Sequence, residues 1–224
     1  MKLSGSTKYS LFILPFLLFG CYKNPNPVPI GPKKLTQIVT WGDSLTAGYG
    51  GEGTSYPSAL QQLTGIKVIN QGVSGDKSTQ IAARMVDSTQ YYSSPVIIWA
   101  GRNNFRDTTQ IRADIATMVS KLKHKDYIIL GVTNGQYDLE LKGASDYVII
   151  NKLNASLAKI YGSHYIDIRA YLVSLYDPTN AQDVKDHNND IPPSSLRYDD
   201  QHLNAAGYTD VARRINTSIN ILKQ

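Results

Sequence analysis

Cysteine is almost missing from this sequence, since Cys21 is the only one among 224 residues. A single thiol excludes an intramolecular disulfide. The sequence also contains no internal repeat, and its apolar and charged fractions are those of an ordinary globular protein. A chain of this length holds either one mid-sized domain with a substantial core or two small domains.

Most of the chain carries no excess of positive or negative charge. The formal net charge is +5, but residues 1–34 contain five lysines and no acidic residue. The remainder of the chain therefore carries 18 basic and 18 acidic residues. A nucleic-acid-binding domain draws its affinity from concentrated positive charge, so this balance argues against a nucleic-acid partner.

Side chains at metal-ligand spacing are also scarce. His187 lies in the polar segment 183–190, and a second polar cluster contains Asp199, Asp200 and His202. Neither cluster has a further histidine or glutamate at helical spacing that would complete a coordination shell. We therefore expect no metal and no other cofactor.

The N-terminus has the pattern of a secretory signal peptide, which we predict over residues 1–20. Lys2 and Lys8 precede the apolar stretch Leu11–Phe19. That stretch is too short to span a bilayer, but its length suits the hydrophobic region of a signal peptide.

Leu18-Phe19-Gly20-Cys21 resembles the lipobox of bacterial lipoproteins, which implies that Cys21 is acylated and becomes the new N-terminus. An ordinary signal peptide with an incidental cysteine is the alternative. Residues 21–34 contain four prolines and no periodicity, which predicts a semi-extended tether that ends where the folded domain, 35–224, begins. We expect the protein to be anchored through Cys21 to a bacterial membrane, at the cell envelope.

From residue 35 onward, short apolar runs alternate with helical patterns. The runs predict strands at Ile38–Trp41, Ile66–Asn70, Pro95–Ala100, Tyr127–Val132 and Tyr165–Ile168. Helices are predicted at Tyr56–Leu63, at Ser78–Val86, through the stripes Ile111/Ile115/Met118/Leu122 and Ile150/Leu153/Leu157/Ile160, and after Asn204 with Tyr208, Val211, Ile215 and Ile219 buried. Strands separated by helices indicate an α/β fold with a parallel sheet covered on both faces.

Polar or glycine-containing turns follow the first three predicted strands. Ser44, Gly75 and Asn103 come after these strands in order. Ligands of parallel sheets bind at the carboxyl ends of the strands, so we expect these three residues to meet at one edge. Ser44 at such a turn is a candidate nucleophile, but a serine hydroxyl needs a base to remove its proton.

His202 is the strongest candidate for that base. Asp199 lies three residues earlier, where its carboxylate can accept the Nδ1 proton and leave Nε2 facing Ser44, as in a serine-histidine-aspartate triad. Asp200 is the alternative partner. Candidate donors for an oxyanion are the backbone N–H groups of Ser44 and Gly75 and the side-chain amide of Asn103.

Four segments in order resemble the four sequence blocks of the SGNH (GDSL) hydrolase family. They are Gly42-Asp43-Ser44-Leu45, residues 70–75, Gly101 with Asn103 and Asn104, and Asp199 with His202. The resemblance spans residues 38–208. It implies a flavodoxin-like, three-layer αβα sandwich with a five-stranded parallel sheet.

The resemblance also implies a serine esterase that works without a metal. Ser44 would be the nucleophile, His202 the base and Asp199 its partner, with Ser44, Gly75 and Asn103 forming the oxyanion hole. Two positions depart from the family pattern, because Arg102 replaces a small residue and Asn104 stands where aspartate is common. Arg102 would narrow the site, bind an anionic substrate or lie on the surface.

We expect a lipid-anchored esterase that removes small acyl groups, above all O-acetyl, from carbohydrate. Four aromatic residues are candidates to stack on a sugar or to pack in the core or rim: Tyr49, Tyr56, Trp99 and Tyr198. A lysophospholipase or thioesterase is the alternative enzyme, but its apolar groove has no counterpart in the polar loops 134–147 and 174–197. A non-catalytic glycan-binding lipoprotein is the alternative of another class.

Overall fold

Five parallel strands form the central sheet, in the order β2-β1-β3-β4-β5. The strands are β1 (Gln37–Gly42), β2 (Lys67–Gly72), β3 (Val96–Trp99), β4 (Tyr127–Leu130) and β5 (Tyr165–Ile166). This order is the flavodoxin-like one, and the predicted α/β fold is confirmed. The last strand is shorter than predicted, because the Asp167 side chain accepts the N–H of Ala170 and caps the next helix.

The computed structural model describes Gly5 and residues 35–223. The predicted signal peptide, the tether and Cys21 therefore lie outside the described residues. Residues 35–223 belong to one compact unit, Pro32–Gln224. In the described part of the chain, no helix combines the length and the apolar character that crossing a membrane requires.

Helices cover both faces of the sheet. The α-helices are α1 (Ser44–Ala47), α2 (Tyr56–Thr64), α3 (Ser78–Asp87), α4 (Thr108–Ser120), α5 (Ser145–Tyr161), α6 (Ile168–Ser174), α7 (Ala181–Asn188) and α8 (Ala205–Asn216). Short 3₁₀ helices lie at Thr89–Tyr91, Arg102–Asn104, Asp138–Glu140, Gly162–His164, Ser194–Leu196 and Ile219–Lys223.

Alternate strand residues point to opposite faces and build two cores. In β3, Ile97 and Trp99 pack with α2, α6 and α8, whereas Val96 and Ile98 pack with α3, α4 and α5. All four side chains are buried, as expected of a central parallel strand. The two cores make the predicted three-layer αβα sandwich.

Three positions predicted on buried helix faces are not fully buried, and all three lie at helix ends. One of them, Leu122, is only partly buried, because α4 ends at Ser120. Ile160 is 56% exposed, because the buried stripe of α5 continues from Leu157 to Tyr161, whose ring packs edge-on against Tyr127. Ile219 is only partly buried, because α8 ends at Asn216 and Ile219 begins a 3₁₀ helix.

Candidate active site

The nucleophile candidate Ser44 occupies a sharp strand-to-helix turn. Asp43 caps α1, and its Oδ1 atom accepts the N–H of Leu45 at 3.0 Å. Gly42 permits the turn, because a Cβ atom there would lie 2.0 Å from Thr46 Oγ1 and 2.6 Å from the carbonyl oxygen of Trp99. Ser44 is therefore the first residue of α1, directly beyond the carboxyl end of β1.

Ser44, His202 and Asp199 form one hydrogen-bonded row. Ser44 Oγ lies 2.9 Å from His202 Nε2, and His202 Nδ1 lies 2.8 Å from Asp199 Oδ2. With its proton on Nδ1, the ring donates to the carboxylate and accepts the serine hydroxyl proton at Nε2. The structure thus pairs Asp199 with the histidine, whereas the backbone carbonyl of Asp200 accepts from Gln136.

The backbone fixes the Asp199 carboxylate in place. Its Oδ1 atom accepts the N–H groups of Gln201 at 2.8 Å and of His202 at 2.6 Å. Partial burial opposes ionisation, but the hydrogen bonds from His202 and Gln201 outweigh it and lower the pKa of Asp199. Asp199 is therefore an anion at neutral pH and suits the role of orienting a histidine.

The carboxyl group of Asp43, next to the nucleophile, has a raised pKa, in contrast to that of Asp199. Burial raises the pKa of its carboxyl from 3.8 to about 7, although the N–H of Leu45 and the charge of Arg102 both lower it. Its Oδ2 atom has no hydrogen-bond partner among the described residues. Asp43 is thus a buried carboxyl group that titrates near neutral pH.

The loop that contains Gly75 contacts both Asn103 and the nucleophile's turn, where the N–H of Val73 donates to the carbonyl oxygen of Gly42 at 3.1 Å. Gly75 has a φ of +86°, a conformation that favours glycine, and it precedes Asp76 in the loop after β2. Asn103 Nδ2 donates to the carbonyl oxygen of Asp76 at 2.9 Å, which uses one of its two N–H bonds. Asn103 therefore lies against the loop of Gly75 with a second N–H left to donate.

Asn104 holds two of the site's segments together. Its Oδ1 atom accepts the N–H of Ser78 at 3.0 Å, and its Nδ2 atom donates to Ser78 Oγ at 2.9 Å. Ser78 Oγ in turn donates to Asp114 Oδ2 at 2.6 Å. The asparagine at this position thus joins the loop after β3 to the start of α3 and to α4.

Arg84, on α3, contacts three segments around the site. Its guanidinium donates to the carbonyl oxygens of Gln71 at 2.9 Å and Gly42 at 3.1 Å, and to Asp76 Oδ2 at 2.8 Å. Sequence reasoning missed this residue. No signal reveals it, because Asp76 lies eight residues away and the other acceptors are backbone atoms.

Arg102 is buried, so the surface reading of this residue is wrong. Both terminal nitrogens of its guanidinium donate to Glu140 Oε1 at 3.0 Å, and the two side chains are only 4% and 6% exposed. Glu140 Oε2 also accepts the N–H of Gly135 at 2.7 Å. Because Glu140 neutralises it, Arg102 is not a free cation for an anionic substrate.

A cavity of about 420 Å³ adjoins the site. It is lined by Arg102, Asn103, Phe105, Arg106, Tyr137, Asp138, Leu139, Glu140, Asp146 and Gln201. Asn103 is an oxyanion candidate, and Gln201 directly precedes His202. Ser44, Asp199 and His202 do not line the cavity, which therefore meets the candidate site at Asn103 and at the residue before His202.

The four aromatic candidates divide between surface and core. Tyr49 and Tyr198 are 52% and 57% exposed, and the ring of Tyr49 lies 4.6 Å from that of His202 and 6.0 Å from that of Tyr198. Tyr56 and Trp99 are buried and pack edge-on against each other in the core that contains α2, α6 and α8. Of these four candidates, Tyr49 and Tyr198 are the two whose rings are exposed.

No cluster of three or more histidine, cysteine, aspartate or glutamate residues suitable for a metal occurs within residues 35–223. His187, in the polar segment considered for a metal, has its Nδ1 atom 3.1 Å from the carbonyl oxygen of Val173. Its ring stacks on Tyr176 at 3.9 Å. His187 thus has packing and hydrogen-bonding partners of its own.

Two of the similar solved structures align over most of this chain and over nearly all of their own chains. A G-D-S-L family protein from Desulfitobacterium hafniense is 20% identical with a TM-score of 0.63, over 82% of this chain and 99% of that one. A catalytic mutant of an acetylxylan esterase from Geobacillus stearothermophilus is 16% identical with a TM-score of 0.57, over 82% and 94%. At such low identity, these likenesses show the fold.

A curated protein matches part of the sequence. The tail spike protein of Salmonella phage epsilon15 is 32% identical over 111 residues, or 47% of this chain. The chain spans 10% of the length of that relative. Over a longer stretch, residues 40–209 match the model of the GDSL-like lipase/acylhydrolase family. That stretch contains Ser44, Gly75, Asn103, Asp199 and His202, and the chain therefore belongs to this family of ester-hydrolysing enzymes.

Proposed function

We propose that this enzyme is a serine esterase that removes small acyl groups, above all acetyl, from carbohydrate. The observation that carries the proposal is the cavity beside Asn103, whose lining combines charged side chains with the exposed side chains of Tyr137 and Leu139. The hydrogen-bonded row of Ser44, His202 and Asp199 supplies the chemistry.

In the first half-reaction, Ser44 Oγ attacks the ester carbonyl carbon while His202 Nε2 takes the hydroxyl proton. The carbonyl electron pair moves onto oxygen, where the N–H groups of Ser44 and Gly75 and the Asn103 amide stabilise the anion. When the tetrahedral intermediate collapses, the bond to the alcohol oxygen breaks and His202 returns the proton to that oxygen. The alcohol leaves, and the acyl group stays on Ser44.

In the second half-reaction, water replaces the alcohol. His202 removes a proton from water, and the resulting hydroxide adds to the acyl carbon. Collapse breaks the bond to Ser44 Oγ, which regains its proton from His202, and the carboxylic acid leaves. Asp199 keeps the ring oriented and stabilises the imidazolium in both halves.

Long acyl chains do not suit the cavity. Its lining includes two arginines and three carboxylates: Arg102, Arg106, Asp138, Glu140 and Asp146. Arg102, Glu140 and Asp146 are buried and paired, so an alkyl chain that entered would remove water from the exposed side chains of Arg106 and Asp138 and return no hydrogen bonds. This polarity argues against a lysophospholipase or thioesterase.

A sugar unit suits the same lining. Arg106 Nε donates to Asp146 Oδ1 at 2.9 Å, and the exposed side chains of Arg106 and Asp138 give the lining a cationic donor and an anionic acceptor that solvent reaches. Each sugar hydroxyl both donates and accepts, and the ring of Tyr137 offers an apolar face. The fold shared with an acetylxylan esterase also supports a carbohydrate ester as the substrate.

The acyl and alcohol preferences can be tested separately. With p-nitrophenyl esters, we expect kcat/KM to fall steeply from acetyl to octanoyl, and the opposite order would favour the lipolytic alternative. Acetate release from a panel of acetylated polysaccharides, including acetylated xylan, tests the sugar. If no acetylated polysaccharide is deacetylated while p-nitrophenyl acetate is, the carbohydrate part of the proposal is wrong.

We also propose that the enzyme is exported and anchored to the cell envelope through acylated Cys21, which rests on the sequence pattern alone. The test expresses the full chain and a Cys21→Ser variant in a bacterium supplied with labelled palmitate. We expect label and membrane association for the natural chain but not for the variant. Equal behaviour of the two proteins would contradict the anchor.

A further inference from the structure

We infer that Arg84 is a positioning residue for the oxyanion hole, a role that rests on the serine mechanism proposed above. It touches no reacting atom. Instead, its guanidinium joins the two segments that carry the Ser44 and Gly75 donors, and it reaches the Asn103 amide only through Asp76. These segments are the turn before Ser44 and the loop of Gly75 and Asp76, against which Asn103 is bonded.

The contacts of Arg84 divide between the two strand ends. Nη2 donates to the carbonyl oxygen of Gly42, two residues before Ser44, at 3.1 Å. Nη1 donates to the carbonyl oxygen of Gln71, near the end of β2, at 2.9 Å. The two strand ends are therefore linked by one rigid planar group in addition to their ladder.

The third contact fixes the oxyanion loop itself. Nε and Nη2 of Arg84 lie 2.8 and 2.7 Å from Asp76 Oδ2, and this carboxylate is mostly buried. The carbonyl oxygen of the same Asp76 accepts from Asn103 Nδ2 at 2.9 Å. Arg84 thus reaches the Asn103 amide through one residue, and Gly75 is the neighbour of that residue.

A guanidinium suits this task and an ammonium does not. Arginine presents five N–H donors in a fixed plane, whereas lysine is a point charge on a flexible stem. The plane of Arg84 is held further by Trp41, whose ring lies 5.6 Å from the guanidinium carbon. Lysine would keep the charge beside Asp76 but would not span three acceptors on two strand ends and a loop.

Misplaced donors weaken stabilisation of the transition state more than substrate binding. A misplacement of about 1 Å in a catalytic group lowers the rate by about 100-fold. An interaction made only in the transition state affects kcat and leaves KM nearly constant. Loss of Arg84 should therefore appear in kcat.

The test measures p-nitrophenyl acetate hydrolysis by the Arg84→Lys variant, with folding checked by circular dichroism and thermal melting. We expect kcat to fall at least about 30-fold with KM within about threefold of the natural enzyme. Arg112→Lys is the matched control, because Arg112 is on α4 and, among the described residues, bonds only the side chains of Ser156 and Thr109. We expect its kcat to equal that of the natural enzyme.

A double-mutant cycle separates positioning from general destabilisation. If Arg84 acts through the oxyanion donors, Arg84→Lys should lower kcat by a much smaller factor in the Asn103→Ala variant than in the natural enzyme. If the two substitutions acted independently, the factors by which they lower kcat would multiply in the double variant, and that result would overturn the inference. A folded Arg84→Lys variant with kcat within threefold of the natural value would overturn it too.

Asp76→Asn provides a second variant if Arg84→Lys does not fold. It keeps the side-chain volume but weakens the bond to Arg84, so we expect the same fall in kcat at constant KM, and an unchanged kcat would overturn the inference. Ser44→Ala keeps the two proposals distinguishable. Activity in Ser44→Ala would refute the serine mechanism, whereas an inactive Ser44→Ala beside a fully active Arg84→Lys would refute only the role of Arg84.

Discussion

The buried pair of Arg102 and Glu140 makes a sharp prediction about stability. Replacing Arg102 by methionine keeps an unbranched side chain of adaptable shape but removes the positive charge. The side chain of Glu140 is 6% exposed, and after the substitution its carboxylate keeps only the N–H of Gly135 as a described partner. Breaking a buried pair by removing one partner costs about 3 to 5 kcal/mol, so we expect Arg102→Met to lose that much unfolding free energy.

Urea denaturation followed by tryptophan fluorescence measures this loss. Arg213→Met is the matched control, because Arg213 is 61% exposed and pairs with Asp210 on the surface of α8. Such a surface pair contributes about 0.3 to 0.5 kcal/mol. The reasoning fails if Arg102→Met costs less than about 1 kcal/mol.

The double variant Arg102→Met with Glu140→Gln isolates the cause. Removing both charges leaves no uncompensated ion, so its loss should be smaller than the sum of the two single losses. A double variant as destabilised as that sum would show that packing, not charge, accounts for the cost.

Three further predictions concern the site. The folded pKa of Asp43, about 7, exceeds the unfolded value of 3.8, so protonation of this carboxyl group stabilises the folded state. This stabilisation is complete below about pH 4 and is lost as the pH rises through 7. Asp43→Asn should therefore gain stability relative to the natural enzyme between pH 4 and 8 in urea titrations, and a constant difference would contradict this. Asp199→Asn should lower kcat at least about 100-fold by removing the partner of His202, and an unaltered kcat would count against the triad. Tyr137→Ala should raise KM for an acetylated oligosaccharide about tenfold more than Tyr137→Phe does, and equal KM values would exclude stacking on that ring.

The sheet could be predicted from the sequence because its strands are short apolar runs between turns. The runs around Ile97 and Ile129 place both faces in a core, and the alternation with helices requires parallel pairing. Helix ends were harder, because periodicity does not show where a cap interrupts it. Ile160 illustrates this, since the following Tyr161 takes the core position before Gly162 ends α5.

Ser44, Gly75 and Asn103 could be predicted because they follow strand ends, and Asp199 and His202 because they stand three residues apart. The side chains that hold these residues in place could not be predicted. The choice between Asp199 and Asp200 depends on the path of a loop, which places the Asp199 carboxylate beside His202. Arg102 and Glu140 are 38 residues apart and meet only through tertiary folding. The same is true of Arg84, which lies 42 residues from the Gly42 carbonyl that it contacts.

Acyl transfer through Ser44 is the central claim, and one comparison tests it most directly. Natural enzyme and Ser44→Ala are compared in p-nitrophenyl acetate turnover, with circular dichroism and thermal melting to verify the fold. We expect Ser44→Ala to remain folded and to lose at least about 1,000-fold in kcat, because the hydroxyl is the attacking group. A folded Ser44→Ala enzyme that keeps a tenth or more of the natural turnover would contradict the account.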